Sequence, residues 1–255
     1  MHMQSPRTHS WLLAAAATAL AFAAATLSAA GQGPTPYPDP KNEAAWPGEG
    51  PIRVFGWMAD NRAWFWKQRA KDRGAVVFVG DSLTANWDAK LMAQAFPGLK
   101  VANRGIGGDV SRGVLFRFRE DVLDLQPRAV VLCIGTNDLS AHADPAVVAR
   151  NLAAVLDQAR GHRRGLPVVL CQIPPRASAS APTKPGAVAD LNARIAKLGG
   201  GKEHLIVLDL FTPLATAEGK PRDEFFAKDR LHLAGPGYQQ WAELLRPALA
   251  RLGVK

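Results

Sequence analysis

The sequence has only two cysteines, and both lie inside strand-like apolar stretches: Cys133 in "VVLCIG" and Cys171 in "VVLCQI". Neither cysteine has the spacing of a metal ligand, which argues against a cysteine metal site. An exported protein could oxidise the two thiols, but adjacent parallel strands rarely offer disulfide geometry. We therefore predict two buried free thiols.

Beyond residue 30 the chain lacks any apolar run near the eighteen or so residues of a transmembrane helix. The first thirty residues resemble a secretory signal, with Arg7 in a polar n-region, an alanine-rich apolar run, and Ser28-Ala29-Ala30 before Gly31. No cysteine follows these small residues, which excludes a lipoprotein anchor. We predict cleavage near Gly31, a secreted or periplasmic location, and no stable membrane insertion afterwards. An uncleaved N-terminal anchor is the alternative.

A concentrated basic surface is also missing. Lys and Arg number 31 against 22 acidic residues, a formal charge of +9, and removal of the leader takes away only Arg7. The cations are dispersed, and no basic stripe is interleaved with aromatic residues, so nucleic-acid binding is disfavoured. Anionic surfaces or polysaccharides are better candidate partners.

Short continuous apolar runs alternate with amphipathic segments after a Pro/Gly-rich arm or linker at 31–51. Strand–helix–strand alternation predicts an α/β fold with helices on both faces of a mostly parallel sheet. We assign residues 52–255 to one domain of this kind, without internal repeats. Its roughly five predicted strands lie at 75–79, 99–102, 129–134, 167–172 and 204–209.

Familiar nucleotide and metal motifs are absent. The glycines from Gly105 to Gly108 suggest a dinucleotide fingerprint, but the position that should hold its third glycine is Val110. There is no GxxxxGK(S/T) and no HExxH. Polar, glycine-rich stretches nevertheless follow the first three predicted strands, and such strand ends converge on one edge of an open sheet.

A serine follows the first strand, in "GDSL" at residues 80–83. Serine is a weak nucleophile until a base takes its proton. Of the four histidines after residue 30, His232 is the best candidate, because Asp229 precedes it by three residues in a loop that enters a helix at Pro236. Asp229 could hold one ring nitrogen and leave the other facing Ser82. An ordinary loop before a helix is the alternative for this pair.

Acyl transfer also needs donors for the developing oxyanion. Gly108 could present its backbone N–H closely to a substrate, and Asn137 carries a side-chain amide that can donate. Tight-turn and capping roles are the alternatives for these two residues. Asp81 has a capping or loop-ordering interpretation, and we assign it no chemistry.

Taken in chain order, "GDSL" (80–83), "NRGIGGD" (103–109), "GTND" (135–138) and "DRLH" (229–232) resemble the four blocks of the SGNH/GDSL hydrolase family. The segment "NRGIGGDVSRGVLFRF" is most similar to the branch resembling platelet-activating-factor acetylhydrolase catalytic subunits. The resemblance implies Ser82 as nucleophile, His232 as base and Asp229 as its orienting acid. It also implies an oxyanion hole of Ser82, Gly108 and Asn137, a flavodoxin-like three-layer fold, and no metal or cofactor.

The leading hypothesis is therefore a secreted or periplasmic esterase acting on short-chain, chiefly acetyl, esters, with a small ester or acetylated glycan as substrate. A non-catalytic glycan-binding module on the same fold and an O-acyltransferase are the alternatives. Four tryptophans bear on the choice. We predict that Trp64 and Trp66 pack the N-terminal helix, and we leave open whether Trp57 and Trp87 face a ligand.

Overall fold

The predicted apolar runs form the centre of the computed structural model, which describes residues 33–255. Pro36–Lys255 make up one compact unit. The predicted leader, residues 1–30, lies outside the described residues. Those described form five strands and eight α-helices: α1 (Gly56–Asp72), β1 (Val76–Gly80), α2 (Ser82–Ala85), α3 (Ala89–Ala95), β2 (Val101–Gly105), α4 (Ser111–Asp121), β3 (Ala129–Cys133), α5 (Thr136–Ser140), α6 (Pro145–His162), β4 (Val168–Cys171), α7 (Ala187–Leu198), β5 (Leu205–Leu208) and α8 (Gly235–Arg251).

The five strands form one parallel sheet in the order β2-β1-β3-β4-β5. Val76 in β1 pairs with Val101 in β2 and with Ala129 in β3. The predicted α/β class and parallel sheet are confirmed. The second strand begins at Val101 and continues through Arg104, beyond its predicted apolar run, because Arg104 is buried in an ion pair with Asp72 at 2.7 Å.

Alternate residues of β1 face two separate cores, which makes the fold three-layered. Val77 and Val79 belong to a cluster with side chains of α4, α6 and α7, whereas Val76 and Phe78 pack with α3 and α8. Because both faces of the strand are buried, its sequence is continuously apolar. Cys133 and Cys171 are buried free thiols, as predicted.

The tryptophans divide into buried and exposed ones. Trp87 is 2% exposed and packs against Phe78, Phe96, Tyr238 and Trp241, so it belongs to the core. Trp66 is half-buried beneath the guanidinium of Arg69. The packing prediction is wrong for Trp64, which is 55% exposed, because its helix presents that position to solvent.

The Pro/Gly-rich segment before α1 lies against the domain. Trp46 is buried, and the guanidinium of Arg112 in α4 donates to the backbone carbonyls of Glu43, Pro47 and Gly50. The bonds to Pro47 and Gly50 satisfy backbone acceptors that lie outside regular structure. Within residues 33–255 no helix is long and apolar enough to span a membrane.

Candidate active site

The end of β1 makes a sharp turn that presents Ser82 at the carboxyl edge of the sheet. A Cβ on Gly80 would lie 2.0 Å from the carbonyl oxygen of Cys133, so only glycine fits there. Ser82 is then the first residue of α2 and is partly exposed. The close approach of β3 and the start of a helix together fix the serine at the strand end.

Asp81 caps α2 and takes up its first-turn donors. Its carboxylate accepts from the N–H of Leu83 at 2.9 Å, and its carbonyl accepts from Thr84 and Ala85. The N–H of Ser82 is thus the first-turn donor for which no acceptor is found within residues 33–255. It remains available for an oxygen placed beside the serine.

His232 lies in the loop before α8 and reaches Ser82 from far along the chain. Its Nε2 is 2.9 Å from Ser82 Oγ, across 150 residues of sequence. The loop is held by the bridge between Phe226 and Leu233 and by the Ala227 N–H, which donates to the His232 carbonyl at 2.8 Å. The imidazole can therefore take the proton of the hydroxyl.

Asp229 orients the other side of the imidazole. Its Oδ2 lies 2.6 Å from His232 Nδ1, and its Oδ1 accepts from the backbone N–H groups of Leu231 and His232, each at 3.0 Å. Partial burial raises the pKa of Asp229, but these hydrogen bonds outweigh burial and hold the pKa below its ordinary value. The carboxylate is thus charged at neutral pH.

The glycine loop after β2, residues 106–110, lies beside Ser82, and the start of α5 contacts this loop. Gly108 has φ +84°, and a Cβ on the preceding Gly107 would lie 4.0 Å from Ser82 Cβ. Asn137 Nδ2 donates to the Asp109 carbonyl at 2.9 Å, which ties α5 to this loop. An amide nitrogen carries two hydrogens, so Asn137 keeps a second donor. The structure thus joins Ser82, His232 and Asp229 by hydrogen bonds and ties Asn137 to the loop that contains Gly108.

Sequence reasoning missed a buried ionic network behind the site. Arg117 Nε contacts Asp109 Oδ2 at 2.8 Å, and its other nitrogens reach Asp121 at 3.4 Å and the Gly80 carbonyl at 3.2 Å. Arg62 pairs with Asp121 from α1. Arg117 thereby joins the end of β1 to the glycine loop. The signal was the spacing of the charged residues 109, 117 and 121, eight and four positions apart, which also fits one exposed helix face.

A second positioning residue comes from the loop after β4. Arg176 donates to the Thr136 carbonyl at 2.7 Å and to the Ser140 hydroxyl at 2.9 Å. These contacts hold both ends of α5, the helix that carries Asn137. Burial lowers the pKa of the Arg176 guanidinium below its ordinary value, and the carboxylate of Asp81 opposes that shift.

Two further carboxyl groups near the site are fully buried. Burial raises the pKa of Asp81 to about 7, against the opposing hydrogen bond from Leu83. Burial also raises the pKa of Asp138 to about 6, although Ser111 donates to it through both its N–H and its hydroxyl. Neither carboxyl is bonded to His232, so these residues hold backbone in place.

Within residues 33–255 the remaining histidines and acidic residues form no second centre. Asp144 caps α6 by accepting from Ala146 and is not bonded to His142. His204 packs against Gly165 at the start of β5. Across residues 33–255 no cluster of three or more His, Cys, Asp or Glu side chains is arranged to hold a metal ion.

A three-layer α/β fold with a serine, a histidine and a carboxylate in hydrogen-bonded sequence at its strand edge has an arrangement of groups that suits acyl transfer. The model of the GDSL-like lipase/acylhydrolase family matches residues 78–240. The chain therefore belongs to this ester-hydrolysing family.

Individual relatives agree with the family match. The human platelet-activating factor acetylhydrolase IB subunit alpha2 is 26% identical over 204 residues, which cover 77% of this chain and 84% of the relative. A GDSL-like lipase from Bacteroides thetaiotaomicron is 26% identical, with a TM-score of 0.66 over 76% of this chain and 98% of that one. The lipase/acylhydrolase from Enterococcus faecalis, at 24% identity and a TM-score of 0.57 over 69% and 95% of the two chains, supports the fold alone.

Proposed function

We propose that the protein is a serine esterase in which Ser82 is the nucleophile, His232 the general base and Asp229 the orienting acid. One observation carries the proposal: His232 Nε2 lies 2.9 Å from Ser82 Oγ while Nδ1 lies 2.6 Å from Asp229. Ser82 Oγ attacks the ester carbonyl as its proton passes to His232. The protonated imidazole then donates that proton to the departing alcohol, and water releases the acyl group by the reverse route.

In this mechanism the oxyanion accepts from the N–H groups of Ser82 and Gly108 and from the Asn137 amide. Each such donor is typically worth about 2.7–4 kcal/mol of barrier. The unengaged N–H of Ser82 and the anchored amide of Asn137 support this assignment. Arg117 and Arg176 act as positioning residues, because they hold the elements that carry these donors.

The proposed substrates are acetyl or similarly short esters. The loops at 173–186 and 211–228, which follow β4 and β5, contain Lys and Arg but no long apolar stretch to line a deep lipid channel. A long acyl chain would need such a lining, since each buried methylene contributes about 0.8 kcal/mol. The relatives named acetylhydrolases agree with a small acyl group. Carbohydrate is the proposed alcohol, and a location outside the cytoplasm follows from the predicted leader.

The nucleophile is tested by Ser82→Ala. We expect turnover of acetyl esters to vanish with the fold intact, and an organophosphate to label Ser82 in the wild-type protein. Ser180→Ala changes an exposed serine in the loop after β4 and serves as the control. Labelling of another serine would refute the assignment. Turnover by Ser82→Ala at the wild-type rate would refute it as well.

Acyl length and export need separate measurements. In a series of aliphatic esters from acetate to octanoate, we expect kcat/KM to be highest for acetate; a steady rise toward octanoate would refute the short-acyl proposal.

For export, the mature chain should begin near Gly31. Recovery of the intact Met1 terminus in a membrane fraction would favour the anchor instead.

A further inference from the structure

Two aromatic rings at the start of α1 form an exposed surface that we call the aromatic platform, Phe55 and Trp57. The two rings stack on each other, with centroids 4.5 Å apart and planes that differ by 14°, so each ring offers its outer face and its edges to a ligand. Phe55 is 37% exposed and Trp57 52% exposed. Large apolar side chains that face water together mark a ligand or partner site more often than isolated ones do.

The platform adjoins the glycine loop of the candidate site. Trp57 Nε1 donates to the Gly107 carbonyl at 2.9 Å. A Cβ on Gly108 would lie 3.1 Å from Phe55 Cε2, and a Cβ on Gly107 would lie 4.0 Å from Ser82 Cβ. The rings and the nucleophile therefore border the same short loop, within reach of one small ligand.

The platform is also held in one conformation. The indole is fixed by its bond to Gly107, and the N–H of the buried Met58 donates to the Phe55 carbonyl at 3.0 Å. Rings that are ordered before a ligand arrives lose little side-chain entropy when it binds. Trp64, the other exposed tryptophan of α1, packs edge-on against the neighbouring Phe65 ring, and within residues 33–255 no hydrogen bond joins it to the glycine loop.

We propose that the aromatic platform binds the pyranose ring of an acetylated carbohydrate while its ester carbonyl lies at Ser82. This inference rests on the esterase function proposed above and names the alcohol part of the substrate. A pyranose has an apolar C–H face that can stack on aromatic rings, and its hydroxyl edge stays hydrated on an open surface. An acyl chain on the same surface would be covered on one side only, which forfeits much of its burial energy.

The test compares three esters that share the acetyl group: an acetylated methyl glucoside, ethyl acetate and phenyl acetate, with acid release followed by pH-stat. For Trp57→Ala we expect kcat/KM on the glucoside ester, relative to ethyl acetate, to fall about tenfold, which corresponds to about 1.4 kcal/mol of lost transition-state stabilisation. Trp57→Phe removes the bond to Gly107 but keeps a ring, and should retain most of the preference. Trp64→Ala, an equally exposed tryptophan of the same helix, should leave the ratio unchanged.

Three outcomes would overturn the platform: an unchanged ratio in Trp57→Ala, an equal fall in Trp64→Ala, or a fall for phenyl acetate alone, which would assign the rings to aryl esters. A measurement without turnover separates this failure from failure of the esterase proposal. The glucoside ester should bind Ser82→Ala about tenfold more tightly than it binds the Ser82→Ala, Trp57→Ala double variant, by titration calorimetry. Equal affinities would also overturn the platform.

Discussion

Two aspartates lie near Ser82, Asp81 as its neighbour in sequence and Asp229 through His232, and their surroundings are opposite in kind. The side chain of Asp229 is 41% exposed and accepts three hydrogen bonds, from the His232 ring and from two backbone N–H groups. Asp81 is fully buried, and its Oδ2 finds no hydrogen-bond partner within residues 33–255. The same side chain thus has a lowered pKa at one position and a raised pKa at the other.

The difference shows which environment suits which role. A carboxylate that steadies an imidazolium must stay charged, and hydrogen bonds from surrounding donors achieve that without deep burial. A carboxyl that caps a buried turn needs only the right position to accept its hydrogen bond. It keeps that position even when burial raises its pKa and favours the protonated form. Burial beside the nucleophile is therefore a poor guide to which acid takes part in the reaction.

The largest loss of activity is expected from replacing His232, the proposed base, whose ring is hydrogen-bonded to the exposed Asp229. His232→Ala should lower kcat by about 10⁵-fold or more, because nothing else takes the proton from Ser82. His162→Ala, which changes an exposed histidine at the end of α6, is the control. Steady-state kinetics on an acetyl ester measures both, and comparable rates for the two variants would contradict the assignment.

Asp229→Asn tests directly whether the exposed carboxylate of Asp229 orients His232. We expect a loss in kcat of about 10³–10⁴-fold, smaller than for His232→Ala, since the imidazole remains but loses its charged partner. Asp223→Asn alters a nearby exposed carboxylate that pairs with Arg230 at 3.0 Å and should have little effect. Full activity of Asp229→Asn at neutral pH would require a different orienting group.

Arg117→Met tests a buried ion pair behind Ser82, that of Arg117 with Asp109, by its effect on the free energy of unfolding. Removing the guanidinium leaves Asp109 without its ion-pair partner in the interior, and we expect a loss of about 3–5 kcal/mol in the free energy of unfolding. Arg160→Met breaks the exposed pair with Asp157, at 3.0 Å, and should cost about 0–1 kcal/mol. Urea denaturation of both variants gives the comparison; equal losses would mean that the buried network contributes no more than a surface pair.

Asp81→Asn should change the pH dependence of stability. Because the pKa of Asp81 is raised to about 7 in the folded state, the folded protein binds this proton more tightly than the unfolded chain. Its contribution to stability is therefore present at acidic pH and is lost as the pH rises toward 7. The stability of the wild type relative to Asp81→Asn should fall by at least about 1 kcal/mol between pH 5 and 8.

Denaturation of wild type and Asp81→Asn at each pH removes the titration that both proteins share, and the charged groups that act on Asp81 are Asp109, Asp138 and Arg176. Asp88→Asn controls for the loss of a capping carboxylate, because Asp88 caps α3 through the same kind of bond at an exposed position. A stability difference between wild type and Asp81→Asn that stays constant with pH would show that Asp81 does not titrate in this range.

Much of the fold was predictable from local patterns. Continuous apolar runs located all five strands. The ends of the first three strands and the loop before α8 supplied the candidate residues. The buried role of Arg117 and the exposure of Trp57 could not be predicted, because arginines are usually exposed and aromatic residues usually buried, and only packing against other elements reverses either tendency.

The sequence by itself determined the parallel sheet and the residues at its edge, since runs that are apolar at every position must be covered on both faces and the ends of parallel strands meet along one side. Only the tertiary structure decided that His232 lies 2.9 Å from Ser82 across 150 residues, and that Asp81 and Asp229 have opposite pKa shifts. Distances and pKa values depend on neighbours contributed by distant segments, and these neighbours exist only once the chain has folded.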